Sequence, residues 1–410
     1  MILKTEVCRF CESDIESVIN FGKMPIANGF ISSVDLDNEY FFNLEAAYCP
    51  KCTLFQLVEM PDPKILFNQN YAYHSGESNS MQLHFSEICD LLINKYNLNK
   101  NHFCVEIGNN DGGIVEYLNL KGFSHLGVDP SKNVSDIAKG KGINVLNDYF
   151  SLETSNKIIQ SNSKADFILA ANALAHIPDL YSVFSGIENL LTDKGIFITE
   201  DPYLLDVLNK TSYDQIYDEH VFIFSLTSMQ NICNKFNLEI FDVEHVNTAG
   251  GSLRYFISKK NVYKKSSNFN KFLNYENDKN LLDTNTYKLF SNNCLNSKNT
   301  TIDLFDKILS ENKSICGYGA TSKSTTIFNY CNIDTKYIKF ITDTTKIKQN
   351  KLSPGMHIPI YDYEYFKKNQ TDYCFLLAWN LKDEIFDKEK DNFSINGQWI
   401  THIPTAQILK

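Results

Sequence analysis

The stretch His102-Phe103-Cys104-Val105-Glu106-Ile107-Gly108-Asn109-Asn110-Asp111-Gly112-Gly113 decides the fold. A short apolar run ends in a glycine-bearing loop that opens a helix, the pattern of a strand feeding a parallel α/β sheet. Glycines in such a loop let the backbone approach a ligand closely, and the helix N-terminus offers free N–H groups. The second strand, Leu126-Gly127-Val128-Asp129, ends in an acid roughly 20 residues after the loop, where a carboxylate accepts hydrogen bonds from both ribose hydroxyls of an adenosine. A dinucleotide and S-adenosylmethionine (SAM) both satisfy this much.

Three details favour SAM. The loop reads E-x-G-x-N-D-G, carried by Glu106, Gly108, Asn110, Asp111 and Gly112, and not the GxGxxG of a dinucleotide site. Glu106 suits a methionine or water network better than a pyrophosphate. Asp148-Tyr149-Phe150 follows the third strand, where adenine contacts lie in methyltransferases. Finally, 238–246 and 251–258 read as two closing strands, which resembles the antiparallel last strand of class I methyltransferases. The fourth strand, 167–171, leads into Asn172-Ala173-Leu174-Ala175-His176. Because carboxyl ends of strands face the ligand crevice, Asn172 is expected at cofactor and substrate, and His176 beside the transferred methyl.

Cys8-Arg9-Phe10-Cys11 and Cys49-Pro50-Lys51-Cys52 are two CxxC knuckles. Each turn points both sulfurs at one point, and together they complete a four-thiolate shell for Zn²⁺. Four thiolates leave no open position for water or substrate, so the metal is expected to be structural, the staple of a lobe with a small core. The other seven of the 11 cysteines read as reduced thiols in a cytoplasmic chain with no visible export signal.

At 410 residues the chain has room for two or three domains. The expected division is a zinc lobe over 1–70, a methyltransferase core over 71–260, a helical connector of broken helices over 261–312 and a second α/β domain over 313–410. No apolar run approaches the ~18 residues of a membrane span. The net charge of -10 argues against nucleic acid or an anionic membrane as partner. A monomer acting on a small molecule is expected.

Asp214-Gln215-Ile216-Tyr217-Asp218-Glu219-His220 follows the fifth strand and precedes an apolar run ending in a helix-capping Ser225. A solvated turn is the plain reading of so many polar groups. Placed over the carboxyl edge, however, a His beside a Glu acts as a general base tuned by nearby carboxylate and phenol groups. Tyr71-Ala72-Tyr73-His74-Ser75, between lobe and core, is read as a lid carrying another phenol.

Taken in order, CxxC…CxxC, Y-x-Y-H-S, E-x-G-x-N-D-G, A-H-I-P-D-L, Y-D-E-H-x-F-x-F-S, G-G-S-L-R and G-Y-G-A-x-x-K, the chain resembles SAM-dependent C-methyltransferases that act on nucleotide-linked 4-keto-deoxysugars. The resemblance covers essentially the whole length and is weakest over 261–312. It implies methylation at C3 of the sugar, with His220 as base and Glu219 and Tyr217 orienting it. It also implies that His176 and one of Tyr71 or Tyr73 are polar partners near the keto oxygen or C3. In the last domain it implies nucleotide-sugar contacts at Ser322, Lys323, Ser324 and His357, beside a glycine turn, Gly317-Tyr318-Gly319, suited to a diphosphate. A nucleotide-sugar oxidoreductase lacks its GxGxxG here, and a non-catalytic nucleotide-sugar scaffold is disfavoured by the intact Tyr217, Glu219, His220 and His176.

Overall fold

The computed structural model describes residues 2–69, 71–393 and 397–409. The N-terminal strands are β1 (Ile2–Lys4), β2 (Glu16–Pro25), β3 (Phe41–Tyr48), β4 (Phe55–Leu57) and β5 (Glu59–Pro61). The next eight are β6 (Phe103–Ile107), β7 (Ser124–Val128), β8 (Val145–Leu146), β9 (Ala165–Ala171), β10 (Leu191–Pro202), β11 (Phe222–Ile223), β12 (Leu238–Val246) and β13 (Ser252–Lys259). The last six are β14 (Ile315–Tyr318), β15 (Ile338–Thr342), β16 (Ile360–Tyr361), β17 (Tyr373–Leu376), β18 (Gln398–Thr401) and β19 (Gln407–Leu409).

The central sheet has seven strands in the order β12-β13-β10-β9-β6-β7-β8. Only β13 runs antiparallel to both its neighbours, wedged between β10 and β12. This is the class I methyltransferase sheet, as the paired strands at 238–246 and 251–258 lead one to expect. The central strand β6 is buried along its whole length, reading Phe-Cys-Val-Glu-Ile with no exposed position, as a strand covered on both faces must be. One cover is the helix Asn79–Tyr96, capped by the Ser78 side chain. Its Phe85, Ile88, Cys89 and Leu92 recur at helical spacing and pack with Ile114, Val115 and Leu118 of the helix Gly113–Leu120.

The C-terminal sheet runs β16-β15-β14-β17-β18-β19. Both large sheets thus place their first, second and third strands on one side and their fourth and fifth on the other. The likeness extends to the turns: Gly108 N–H donates to the Val128 carbonyl and Gly319 N–H to that of Thr342, each at 2.8 Å.

Between these sheets, the connector differs from the expectation of broken helices. After a helix at Ser267–Asp278, the chain runs unbroken from Thr284 to Ser310. Its buried stripe is Tyr287, Phe290, Cys294, Ser297, Thr301, Phe305 and Ile308, a regular three-and-four spacing. Two positions of that stripe are hydroxyl residues, which a hydrophobic pattern skips. Ser297 donates to the His402 carbonyl at 3.1 Å and Thr301 to that of Ser297 at 2.7 Å, so burial leaves neither unsatisfied.

The small N-terminal sheet is ordered β11-β4-β3-β2. Its outermost strand comes from the far side of the central domain, with Phe222 opposite Gln56 and Ile223 opposite Phe55. The strand that leaves the candidate catalytic segment therefore belongs to the cysteine-bearing lobe. Among the described residues, no helix is long and apolar enough to cross a membrane.

Candidate active site

At the N-terminus, Cys8, Cys11, Cys49 and Cys52 converge with all ligand atoms within 4.8 Å of one another. The Sγ separations are 3.6 Å for Cys8–Cys52, 3.5 Å for Cys11–Cys49 and 3.6 Å for Cys11–Cys52. A zinc ion about 2.3 Å from four thiolates sets its sulfurs about 3.8 Å apart, so the cluster fits a closed structural site.

Over the carboxyl ends of β6, β7 and β9 lies a cavity of about 290 Å³. Gly108, with φ of +73°, is pressed so near the neighbouring loop that a Cβ there would lie 2.5 Å from that of Ala173. Asp129 lines the cavity and accepts N–H bonds from Asn110 at 3.0 Å and Ser131 at 2.8 Å, one on each oxygen. A carboxylate oxygen accepts more than one bond, so both retain capacity for ribose hydroxyls. Burial pushes this carboxyl up to about 6. Tyr149 and Phe150 form the wall where an adenine would lie, and Asn172 brings a buried Oδ1 with no partner among the described residues. The residues fit SAM: an acid for the ribose, a glycine that lets the backbone come close, and aromatic walls.

Several assigned cofactor residues sit differently from the sequence expectation. Glu106 borders the cavity, but its two oxygens accept N–H bonds from Ile114 at 3.0 Å and Val115 at 2.8 Å. It therefore caps the following helix, and burial holds it up at about 8. Asp111 turns away, accepting from the Ser75 hydroxyl at 3.0 Å and Gly76 N–H at 2.9 Å, and so fastens the 71–76 segment onto the loop. Gly112 lies outside the cavity wall, as does Asp148, which pairs with Lys157 at 3.1 Å.

His176 and His220 meet ring to ring, 5.3 Å between centroids. His220 Nδ1 is 2.7 Å from the Gln215 carbonyl and Nε2 is 2.8 Å from the Tyr217 hydroxyl. A carbonyl only accepts, so Nδ1 carries the proton and Nε2 keeps its lone pair. Burial, reinforced by His176 and Lys323, pushes His220 well below the usual histidine range. The ring is consequently held neutral. His176 is lowered to about 4 by burial, and its Nε2, in the cavity region, has no hydrogen-bond partner among the described residues.

Glu219 does not orient His220. Its Oε1 accepts from Asn28 Nδ2 at 2.7 Å and its Oε2 from the Tyr71 hydroxyl at 3.0 Å, because successive side chains on this turn leave in different directions. The carbonyl of Gln215 takes the orienting role together with Tyr217. Both tyrosines line the cavity, but Tyr71 is buried against Glu219 whereas Tyr73 is 44% exposed. Asn28 was not legible as a site residue, since nothing in Pro25-Ile26-Ala27-Asn28-Gly29 carries a chemical pattern.

The C-terminal helix Ser322–Cys331 closes the arrangement. Ser322 donates to Asn28 Oδ1 at 3.0 Å, and Thr326 to the Ile216 carbonyl at 2.9 Å. Lys323 is buried, with its Nζ 3.3 Å from Asn380 Oδ1, and desolvation lowers it. Ser324, expected to touch substrate, instead turns its hydroxyl to the Thr321 carbonyl within the helix cap. His357 lies by the N-terminal lobe, donating to Glu39 Oε2 at 2.8 Å.

Three family models match in succession: "Putative zinc binding domain" over 8–67, "Methyltransferase domain" over 81–243 and "C-methyltransferase C-terminal domain" over 247–404. C-methyltransferase NovU of Streptomyces niveus is 29% identical over 405 residues, spanning 98% of this chain and 96% of NovU. Among solved structures, the PH0226 protein of Pyrococcus horikoshii aligns with a TM-score of 0.37 at 15% identity, over 46% of this chain and 95% of its own. A SAM-dependent methyltransferase of Anabaena variabilis aligns with a TM-score of 0.35 at 16% identity, over 43% and 85%. With its zinc-binding, methyltransferase and C-terminal regions matched in order, the chain is a SAM-dependent methyltransferase, similar along nearly its whole length to a C-methyltransferase.

Proposed function

We propose that the acceptor is a nucleotide-linked 4-keto-deoxysugar, methylated in the cytoplasm at C3, the carbon beside the keto group. The observation that carries this reading is the neutral His220 imidazole, with Nδ1 tied to the Gln215 carbonyl and Nε2 unprotonated against the Tyr217 hydroxyl. Oxygen and nitrogen acceptors present a lone pair, but a carbon acceptor must first lose a proton. A ketone makes that loss feasible by delocalising the resulting charge, and the site offers polar groups to stabilise it.

In this reading His220 Nε2 takes the proton from C3, the Tyr217 hydroxyl holding that nitrogen in position beforehand. His176, kept neutral by burial, serves the developing oxyanion, while the Tyr71 hydroxyl holds Glu219 in place. Asp129 and Asn172 would hold SAM, which when bound would supply an electrophilic methyl. Ser322 and Lys323, at the start of a helix facing the same segment, and His357 across the lobe serve the nucleotide part. The net charge of -10 disfavours nucleic acid, so a small anionic acceptor must be met by local donors.

Incubation with SAM and a panel of nucleotide 4-keto-sugars, read by mass spectrometry, tests the reading. One sugar should gain a single methyl, located at C3 by NMR; no gain from any of the panel refutes it.

A further inference from the structure

The segment that carries His220 is anchored by an acid that takes no part in the proton transfer. Asp214 sits in the one-turn helix Tyr213–Gln215 and is 1% exposed. Its Oδ2 accepts the indole N–H of Trp379 at 2.7 Å, and His402 Nε2 lies 3.2 Å from the same oxygen. Both neighbours come from the C-terminal domain. Trp379 opens the turn Trp379–Leu381 after β17, and the fully buried His402 follows β18, its carbonyl held by the Ser297 hydroxyl. A buried carboxylate deprived of its donors is costly, so the acid holds this turn to the last domain.

What the contact fixes is the next residue along. The Gln215 carbonyl faces His220 Nδ1 at 2.7 Å, the bond that leaves Nε2 unprotonated. The turn itself is short, closed by Gln215 N–H to the Ser212 carbonyl and Ile216 N–H to that of Tyr213, each at 3.0 Å. Rotation of so short a turn would swing the Gln215 carbonyl off the ring, and a neutral imidazole freed of that acceptor redistributes its proton between the two nitrogens. The Asp214–Trp379 bond opposes the rotation from outside. Trp379 is in turn seated on Gly250, where a Cβ would lie 2.4 Å from the edge of the indole. The stretch Gly250-Gly251-Ser252-Leu253-Arg254 thereby gains a use: its first glycine makes room for the ring that grips the catalytic turn. Asn380, beside Trp379, reaches Lys323 Nζ at 3.3 Å, so the same turn of the last domain touches two sides of the site.

We infer that Asp214 and Trp379 are positioning residues for methyl transfer: through this bond the C-terminal domain holds the Gln215 carbonyl where it keeps the His220 proton on Nδ1. The inference rests on His220 as the base. It makes correct seating of the last domain a condition for an unprotonated Nε2, with His402 packed behind the same carboxylate.

Nitrogen-15 NMR of the full-length, zinc-loaded protein with labelled histidine reads the tautomer, the His220 signals being those lost in His220→Asn. Wild type should show Nδ1 protonated and Nε2 bare. Trp379→Phe, which keeps a ring over Gly250 but removes the N–H, and Asp214→Ala should each move a measurable share of the proton to Nε2. Turnover of the sugar methylated in the panel should fall roughly ten-fold, the scale of one hydrogen bond to a charged group, with its KM and the affinity for S-adenosylhomocysteine (SAH) within about two-fold of wild type. Asp214→Asn, which retains an oxygen for the indole, should recover most of that loss. The double variant of Trp379→Phe and Asp214→Ala should be no slower than the worse single one, because both act through one bond. A wild-type tautomer in both Trp379→Phe and Asp214→Ala overturns the inference, whatever their turnover, and so does a loss expressed in KM alone. Normal turnover in His220→Asn instead defeats the base reading, and the tautomer spectra then decide the Asp214–Trp379 contact by themselves.

Discussion

The Tyr71 hydroxyl donates to Glu219 Oε2 at 3.0 Å, joining positions 148 residues apart. The same carboxylate takes Asn28 of the cysteine-bearing lobe on its other oxygen, so linker, lobe and catalytic segment share one buried group. Removing the Tyr71 hydroxyl leaves that carboxylate short of a donor, a loss of about 1.5–3 kcal/mol for a bond to a charged group. Tyr71→Phe should therefore cut methyl transfer by about 10–100-fold, while Tyr73→Phe stays within a few-fold of wild type. Equal effects in steady-state assays would show that the pair does not matter.

His220→Ala and His220→Asn should each lower turnover by roughly 10²–10⁴-fold, the usual contribution of a general base. SAH affinity should remain intact, because Asp129, Gly108 and Asn172 are untouched. Near-normal turnover in either variant removes His220 as the base.

The pH response follows from two opposite shifts. His220 is pushed below the ordinary histidine range, so it stays neutral and competent as pH falls past 6.5, where a solvent-exposed histidine would be lost. Asp129 is raised to about 6, so the ionised ribose acceptor is present above that pH and lost below it. SAH affinity should fall as pH drops through about 6, and Asp129→Asn should bind weakly with no such inflection. An inflection that persists in Asp129→Asn assigns it to another group.

The stability sign differs for these groups. His176, lowered to about 4, stays unprotonated while its unfolded form takes a proton below about 6.5. Between these values the unfolded chain binds more protons, so stability falls as pH falls. His176→Phe should flatten the acid side of a Tm profile between pH 6.5 and 4. An unchanged profile argues against burial of this ring.

One zinc per chain is expected by elemental analysis. Cys49→Ser or chelation should unfold the lobe and lower Tm, since metal binding and folding of such a shell are one event. Because β11 belongs to that lobe's sheet, turnover should collapse while SAH binding largely survives. A metal-free protein with full activity would refute this.

Much of the fold could be read locally. The strand-loop-helix at 102–113, the acid at 129 and the closing strands at 238–258 announce themselves by apolar runs and glycines, which short-range sterics dictate. The cysteine spacing gave the metal site directly. What resisted reading was either long-range or negative. Asn28 reaches Glu219 only through packing of the lobe, which no spacing encodes. Glu106, Asp111 and Ser324 have the residue types a ligand would use, yet their capacity is spent on backbone and neighbouring groups. Ser297 and Thr301 hid a continuous helix because their burial depends on the carbonyls they meet. Neighbouring side chains at 219 and 220 point apart, and only coordinates tell which partner each finds.

The placement of β11 as the outer strand of the lobe's sheet also bears on how such proteins can be dissected or recombined. A fragment ending near residue 70 would hold all four cysteines, yet expose the backbone of β4 as a raw edge, an invitation to self-association. A chimera that exchanged the lobe alone would break the register of Phe222 and Ile223 with their partners. The lobe and the central domain therefore form one interlocked unit and not interchangeable cassettes.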